Sequence, residues 1–370
     1  MKKNSDIICN LHFQYFQNEF DTKSPWFLLD GENIVKYDEN TPNGRVLFFS
    51  TKESLKIMSR AKSLGVDGTF KICPDLWHQV MIICAEVSSN VFVPVAFGFL
   101  PDKKYPTYVS FFGAIQQSLT KLDLQLSAKF FMCDFEINIR KSLTAIFTNI
   151  PVKNCHFHMA KAIWNKVVDF GMKSAYSQPE NSKLAGLIRA SIGLPYVPLN
   201  RINEGVKLLQ DLAKELKGKQ YDFGQKFVSY MMTTWINGNF EPSTWNFYAH
   251  RGITTNNNNE AYNYRIGHRK ALGHAVHPNP YLLISVLKDE LQNGIDDCLA
   301  AAIGNPNLKT FRSRINVIER KKNLMKNLHE HDTDLCTYMK AMGVLCLKHD
   351  RSKMIFLKKM TKILLMFQKI

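Results

Sequence analysis

The sequence lacks the features that mark membrane proteins and secreted proteins. None of its apolar runs is long enough and free enough of charge to span a bilayer. The first residues, MKKNSDIICNLHF, lack the apolar core of a signal peptide. Together these absences predict an intracellular protein with no membrane partner.

The sequence also lacks a cysteine framework. Its eight cysteines are scattered, and Cys84 and Cys133 lie inside the apolar runs VMIICAEV and FFMCDF. This distribution predicts buried free thiols in a reducing compartment and argues against a disulfide-stabilised module. Cys9 and His12 supply at most half of a zinc site, and we interpret them as a chance pair because no second pair lies nearby.

Acidic residues are outnumbered. The 370 residues include 32 Asp and Glu against 48 Lys and Arg, which gives a net charge of +16. This surplus favours a polyanionic partner, nucleic acid first, although basic soluble proteins without such a partner are common. It also favours the nucleus as the location. A hydrophobic content of 45% is ordinary for one large or two medium globular domains.

Residues 61–171 alternate between strand and helix patterns. VDGTFKICP, WHQVMIICAEV and VFVPVAFGFLP have short links and predict an antiparallel meander of three strands. An amphipathic helix follows in YPTYVSFFGAIQQSLTKL, then a buried strand that ends at Asp134 and a helix from Ile137 to Phe147. A last strand and helix begin in VKNCHFHMAKAIWNKVVDFG. The order β-β-β-α-β-α-β-α predicts a mixed α/β fold on the ribonuclease H-like plan.

In that plan the first and fourth strands are neighbours, so Asp67 and Asp134 would face each other across adjacent strands. Ligands and metals bind at the ends of strands in open sheets. Either acid alone is explained more simply as a polar residue that ends a strand. The pair is therefore the candidate site.

The flanking regions have other patterns. Residues 1–60 indicate an α+β lead-in with a β-hairpin, followed by a helix from Thr51 to Leu64 that Thr51 caps. Residues 172–250 show no strand alternation and predict a helical insertion. Residues 251–275 are predicted to hold a core helix, from about Asn257 to His268.

Residues 276–370 predict a basic helical C-terminal region. The last twenty residues hold six Lys or Arg and no acid. They are either an amphipathic helix that lies on DNA or a partner, or an eroded end of the reading frame.

A third acid, Glu260, follows four asparagines at the start of the core helix, where Thr255 or Asn256 is the expected N-cap. Mg²⁺ prefers carboxylate oxygens, and two such ions ~4 Å apart activate a water or a 3′-hydroxyl and stabilise the leaving oxygen of a phosphodiester. Three acids suffice if Asp67 bridges both ions. Spacing alone does not select these three, because a chain of this length holds many acids.

The order of several motifs does select them. The chain carries Asp67-Gly68-Thr69-Phe70-Lys71 with Pro74 and Gln79, VPVAFGFLP with Tyr108 and Phe111-Phe112, Asp134-Phe135-Glu136, Cys155-His156-Phe157-His158, and Thr255-Asn256-Asn257 with Glu260. Over about residues 45–270 this series resembles the MULE transposase domain, the catalytic core of Mutator-like DNA transposases.

The resemblance implies a catalytic, metal-binding triad of Asp67, Asp134 and Glu260 that holds Mg²⁺ or Mn²⁺, with two ions expected. It implies that double-stranded DNA is cut at terminal inverted repeats and that the freed 3′-hydroxyl is transferred to target DNA. By analogy with transposases that pair two ends, we expect a homo-oligomer on DNA. The C-x-x-H element of the family falls on Cys155 and His158. We include His158 as a catalytic candidate that contacts the scissile phosphate or positions DNA, and the alternative is a histidine that hydrogen-bonds near the acids.

Neighbouring groups have simpler expected roles. Glu136 is expected to cap the next helix or to support the metal ligands. His156 is expected to be structural or exposed, on one face with His158 if the segment is a strand. The tryptophans are expected in the core, with Trp245 as the candidate for base stacking. Arg251 and the basic residues after Glu260 either meet phosphates or form a solvated face.

Two rival functions stay open. Family members often carry an upstream zinc-finger domain, and some carry a downstream Cys/His motif, and this sequence shows neither in complete form. The sequence therefore also suits a fragment, a shortened copy or a host-adopted, catalytically silent DNA-binding regulator. A nuclease of the same fold without strand transfer is the third possibility.

Overall fold

The computed structural model describes residues 20–88, 91–250, 252–272, 277–303, 312–330 and 333–349. The chain forms two compact units. The first comprises Met1–Lys153 and Asn256–Lys309, and the second comprises Asn154–Thr255 and Thr310–Ile370. Both units are therefore assembled from two separate stretches of the chain.

The strands form one small sheet and one large sheet. Their bounds are β1 Leu28–Leu29, β2 Glu32–Asn33, β3 Val35–Thr41, β4 Gly44–Phe49, β5 Leu64–Thr69, β6 Gln79–Ser88, β7 Val91–Leu100, β8 Phe131–Cys133 and β9 Val152–Asn154. β1 pairs with β2, and the large sheet has the order β3-β4-β7-β6-β5-β8-β9. The pairs from β3 to β5 are antiparallel, whereas β5 and β8 are parallel, so the sheet is mixed.

The helices of the first unit are α1 Lys52–Ser59, α2 Tyr105–Thr120, α3 Ile137–Ile146, α9 Asn257–Gly267 and α10 Pro280–Ala302. Those of the second unit are α4 His156–Asp169, α5 Ser182–Gly193, α6 Ile202–Lys214, α7 Lys219–Tyr230, α8 Pro242–Trp245, α11 Arg312–His329 and α12 Leu335–His349. A π-helical turn, Met231–Ile236, continues α7. Short 3₁₀ turns lie at Pro25–Phe27, Ala175–Ser177, Pro179–Asn181, Leu194–Tyr196, Leu199–Arg201 and Lys270–Leu272.

The central strands β6 and β7 are apolar along nearly their whole length because both faces of the sheet are covered. On one face, Leu64 and Val66 of β5 pack in a buried cluster with Tyr108 and Phe111 of α2 and Leu143 of α3. This cluster fixes β5 between β6 and β8. The other residues of β5, which alternate with Leu64 and Val66, point to the opposite face of the sheet.

The predicted order of strands and helices is confirmed from β5 to α4, and so is the placing of the first and fourth strands side by side. The predicted hairpin is β3 and β4, which pairs with β7 and extends the same sheet. The cap at Thr51 is confirmed, since its Oγ1 accepts a hydrogen bond of 3.0 Å from the backbone N–H of Ser54. The helix itself ends at Ser59 rather than Leu64, because Leu64 is already paired with Ala85 and Phe131 in the sheet.

The second unit is helical, as predicted for residues 172–250, and that fully described stretch contains no strand. The described helices beyond residue 276 also confirm a helical C-terminal region. The chance pair Cys9–His12 and the basic tail 351–370 lie outside the described residues. In the part of the chain that is described, no helix combines the length and the apolar character needed to cross a membrane.

Candidate functional site

Two of the predicted acids lie in the same register on neighbouring parallel strands. β5 and β8 pair Leu64 with Phe131 and Gly65 with Met132. Asp67 follows Leu64 by three residues and Asp134 follows Phe131 by three, so continuing the register sets one acid opposite the other. Both stand where parallel strands reach the same edge of the sheet, and adjacent strands lie ~4.8 Å apart.

Asp67 points to the face of the sheet away from α2 and α3. Leu64 and Val66 occupy the cluster on the α2–α3 face, and successive strand residues alternate between faces. Asp67 is only 7% exposed. A carboxylate this buried needs polar partners or a cation, because burial without them is costly.

One such partner is Asn263 of α9. Its Nδ2 donates a hydrogen bond of 2.5 Å to Oδ2 of Asp67. The amide oxygen Oδ1 of Asn263 is buried and accepts no hydrogen bond from any described residue. The Asn263 amide is thus a neutral donor that orients the Asp67 carboxylate. The same side chain also carries the amide oxygen Oδ1, which could serve as a further ligand.

Two asparagines at the start of α9 attach this helix to the sheet. The amide of Asn259 donates hydrogen bonds of 3.0 Å to the carbonyls of both Gly65 and Ile82, on β5 and β6. The amide of Asn256 donates at 2.9 Å to the carbonyl of Val66. Asn256 does occupy the predicted N-cap position, but its side chain makes no capping bond, because it is committed to β5.

Glu260 lies in the first turn of α9, three residues before Asn263. Residues three apart share one face of a helix, so the contact between Asn263 and Asp67 brings the Glu260 face of α9 toward Asp67. Within the described residues, the three acids do not form a group whose ligand oxygens all lie within 4.8 Å of one another.

The donor set therefore fits hard divalent cations. It consists of three carboxylates and the free amide oxygen of Asn263, all of them oxygen ligands of the kind Mg²⁺ and Mn²⁺ prefer. Asp67 lies on the strand that pairs with β8 and bonds to Asn263 of α9, so it connects the elements that carry the other two acids.

Glu136 does not act as a helix cap, although it occupies the N-cap position of α3. One of its carboxylate oxygens accepts a hydrogen bond of 2.8 Å from Nζ of Lys103, and the other accepts from the hydroxyl of Tyr108. Tyr108 in turn accepts a 2.8 Å hydrogen bond from Nε2 of Gln79. Burial, opposed by the Gln79 hydrogen bond but reinforced by Glu136, holds the pKa of Tyr108 well above its usual value. Tyr108 therefore remains a neutral donor to Glu136.

The Cys155–His158 element lies in the second unit, at the start of a helix and not on a strand. Cys155 is the N-cap residue of α4 and is buried, and His158 is in the first turn, so the two share a helix face. The strand alternation considered for His156 does not apply. His156 is buried, and its Nε2 lies 3.0 Å from the carbonyl oxygen of Ile192, which is a structural role.

The tryptophans belong to the core, as predicted for Trp77, Trp164 and Trp235. The base-stacking role considered for Trp245 is wrong, because this side chain is 0% exposed. Its indole N–H donates to the carbonyl of Phe240 at 3.1 Å. Arg251 lies outside the described residues.

The basic residues after Glu260 are not a simple solvated face. Arg265 and Arg269 both form ion pairs with Glu290 of α10, a carboxylate that is completely buried. They therefore attach α9 to α10. Sequence reasoning missed this pairing, as it missed Asn259 and Asn263. The sequence signal for Asn259 was the run of four asparagines immediately before Glu260, whereas Asn263 lies after Glu260 and outside that run.

Comparison with known proteins agrees with the motif order. No curated protein matches the chain. Residues 63–162 match the family model of the MULE transposase domain, and this range includes Asp67, Asp134, Cys155 and His158. The predicted resemblance is confirmed over this range, whereas Glu260 lies beyond it and is connected to it by the contacts of α9. Residues 63–162 are thus similar to the MULE transposase domain.

Proposed function

We propose that this chain is the catalytic core of a DNA transposase that cuts phosphodiesters at terminal inverted repeats and transfers the 3′-hydroxyl to target DNA. A transposase domain implies DNA as the substrate in general. The observation that carries the proposal is the parallel pairing of β5 with β8, whose register, continued past Gly65 and Met132, sets Asp67 opposite Asp134. The hydrogen bond from Asn263 of α9 to Asp67 supports Glu260, in the same helix, as the third acid.

Asp67, Asp134 and Glu260 would hold two Mg²⁺ or Mn²⁺ ions, with Asp67 shared, and bound ions would supply an activated water or 3′-hydroxyl and stabilise the leaving oxygen. The chain's own residues prepare this site. Asn263 fixes the orientation of the Asp67 carboxylate, and the packing of α9 on β5 and β6 keeps that carboxylate almost out of bulk water. A fixed, poorly hydrated ligand needs little reorganisation when charge develops on the reacting phosphate.

Two further features support the proposal. A net charge of +16 suits a polyanionic substrate and nuclear action. A three-stranded antiparallel meander followed by a parallel strand supports the ribonuclease H-like plan. A homo-oligomer on paired DNA ends is expected by analogy only.

The test is metal-dependent nicking and strand transfer with a labelled duplex that carries the inverted repeat flanking the gene. Asp134→Asn should abolish both reactions while the unfolding transition stays cooperative. Asp123→Asn is the matched control. Asp123 is exposed in the turn after α2 with a positive φ of 55°, a conformation that asparagine also accepts, so this variant should act like the wild type.

Each result decides between the functions. Equal cutting by Asp134→Asn and the wild type means that the acid assignment is wrong. Cutting without strand-transfer products identifies a nuclease, and tight repeat binding by a wild type that never cuts identifies a silent, host-adopted regulator. His158→Gln tests separately whether the histidine acts on the phosphate.

A further inference from the structure

An aromatic ring stands exposed just beyond the first acid. Phe70 follows Asp67 by three residues, at the end of β5, and 41% of it is exposed. A single exposed apolar residue is normal in a soluble protein, so exposure alone carries no argument. What distinguishes Phe70 is the set of groups that hold it.

A lysine and a histidine fix the ring in place. Nζ of Lys103 lies 4.6 Å from the ring centroid of Phe70, within the range of a cation–π interaction. The ring of His78 meets it edge to face, with centroids 5.4 Å apart. Phe70 is therefore presented as an ordered ring with a cation beside it.

The lysine is itself held by a chain of hydrogen bonds that begins in the core. Gln79 and Tyr108 are fully buried, and Tyr108 donates to Glu136, which accepts from Lys103 at 2.8 Å. The Lys103 ammonium has three donor positions, so the pairing with Glu136 leaves capacity for a further anion. This chain fixes the position of a cation that remains 41% exposed in its side chain.

These groups share one edge of the sheet with the acids. Phe70 follows the end of β5, Gln79 begins β6, Lys103 follows the end of β7 and Glu136 follows Asp134 by two residues. Because β6 is antiparallel to β5 and β7, its start meets their ends. Phe70 and Lys103 thus lie at the same end of the sheet as Asp67 and Asp134.

The surroundings suit a nucleic-acid strand. Exposed Lys71 and Tyr105 add a further cation and a further ring, while Asp102 pairs with Lys104 at 3.3 Å. Proteins bind single strands by stacking bases on aromatic rings while cations contact the phosphates. Inside a duplex both faces of a base are already stacked, so such a ring can reach only an unpaired base.

We propose that Phe70 and Lys103 form a platform for one unpaired nucleotide of the DNA strand that enters the acid site. The base stacks on Phe70, and its phosphate binds Lys103. The proposal rests on the proposed function, because it assigns that nucleotide to the DNA substrate. It adds a preference for DNA whose end is unpaired.

The test is equilibrium binding without divalent metal, so that no cutting occurs. The probes are a blunt duplex and the same duplex with a four-nucleotide single-stranded end that carries 2-aminopurine. The full-length wild type should bind the overhang more tightly and quench its fluorescence. Phe70→Leu should weaken overhang binding by about 5- to 100-fold with little change for the blunt duplex, whereas Phe70→Trp should preserve it. Lys103→Gln should lower the salt dependence by about one phosphate contact.

Two matched controls show whether the effect is local. Tyr221→Leu removes another ring, 43% exposed, in the second unit. Lys121→Gln removes an exposed lysine at the far end of α2, about 24 Å along the helix from Tyr105. Both variants should bind the overhang like the wild type.

The outcomes separate this proposal from the proposed function. If Phe70→Leu keeps the overhang affinity and quenching, or loses blunt and overhang binding equally, the platform is wrong even if the protein cuts DNA. If the platform behaves as expected and the wild type never cuts, the proposed function fails and the platform stands. Should Phe70→Leu fail to fold, loss of the overhang preference in the aromatic Phe70→Trp variant would equally overturn the platform.

Discussion

Nδ2 of Asn263 donates a 2.5 Å hydrogen bond to Oδ2 of Asp67, across 196 residues of sequence. This bond makes α9 and β5 parts of one site. It also holds Oδ2 of Asp67 in a fixed position. An amide that orients a metal-binding carboxylate in this way supports the ligand without itself carrying charge.

Replacement of Asn263 by alanine should weaken metal binding about 10- to 100-fold, because the Asp67 carboxylate loses its fixed orientation. The measurement is the Mg²⁺ concentration that gives half-maximal cutting, together with the shift in unfolding temperature caused by Mn²⁺. Asn258→Ala is the control, since Asn258 lies in the same helix and is only partly buried. Equal metal requirements for the two variants would remove Asn263 from the site.

Asn259 should be a determinant of stability rather than of chemistry. Its buried amide bonds the carbonyls of Gly65 and Ile82, and a Cβ added to Gly65 would overlap Oδ1 of Asn259. Asn259→Ala leaves two carbonyls without this donor, so the free energy of unfolding should fall by about 1–3 kcal/mol. Asn258→Ala should change it by less than about 0.5 kcal/mol. Denaturant titration measures both, and similar losses would mean that the two-strand bridge contributes nothing.

The sheet was predictable from the sequence because its signals are local. Continuous apolar runs, the short links between them and the acid at the end of β8 together indicate the strand order, and that order sets Asp67 beside Asp134. The bounds of α1 needed correction, since a helix pattern that runs into a strand does not show where pairing begins. The first predicted strand also ends at Thr69 rather than Pro74.

The attachment of α9 was not predictable in the same way. Asn256 was expected to cap its own helix, which is the local solution, yet it bonds Val66 across 190 residues. Trp245 shows the converse problem, because an aromatic residue in a loop sequence looks exposed until the fold covers it. Asn256 has a partner that is distant in sequence, and Trp245 is buried by the fold around its loop, so residue type alone identifies neither outcome.

The hydroxyl of Tyr108 predicts a dependence of stability on alkaline pH. Burial, partly offset by the Gln79 hydrogen bond and strengthened by Glu136, raises the pKa of Tyr108 in the folded state. In the unfolded chain the hydroxyl titrates near pH 10. Above that pH the unfolded state loses a proton that the folded state keeps, so the contribution of Tyr108 to stability is complete below pH 10 and falls as pH rises.

Tyr108→Phe isolates this contribution from the other buried tyrosines. Below pH 10 the variant should be less stable than the wild type by about 1–2 kcal/mol, because Glu136 and Gln79 lose a partner. Between pH 10 and 11 this difference should shrink by up to about 1.4 kcal/mol. Urea titrations at pH 8, 10 and 11 test it, and a constant difference would show that Tyr108 has no raised pKa.

The opposed acids predict two opposite effects of the substitution Asp67→Asn. It should weaken metal binding, and it should leave the stability of the metal-free protein equal or higher. The register of β5 and β8, continued by two residues, sets Asp67 opposite Asp134, so without a cation their like charges should repel. Asp67→Asn removes one charge, and the free energy of unfolding in a metal-free buffer should stay equal or rise. The amide at position 67 still offers an oxygen to Asn263.

With metal present, the wild type should be more stable than Asp67→Asn. Mg²⁺ or Mn²⁺ at 100 times its dissociation constant stabilises a protein that binds it only when folded by about 2.7 kcal/mol. The wild type should therefore gain unfolding temperature with added metal, and Asp67→Asn should not. Asp123→Asn, at its exposed turn, should show the full metal effect. A wild type whose unfolding is unchanged by either ion at millimolar concentration would mean that these acids hold no metal in the absence of DNA, whereas an equal gain in Asp67→Asn would place the bound metal elsewhere.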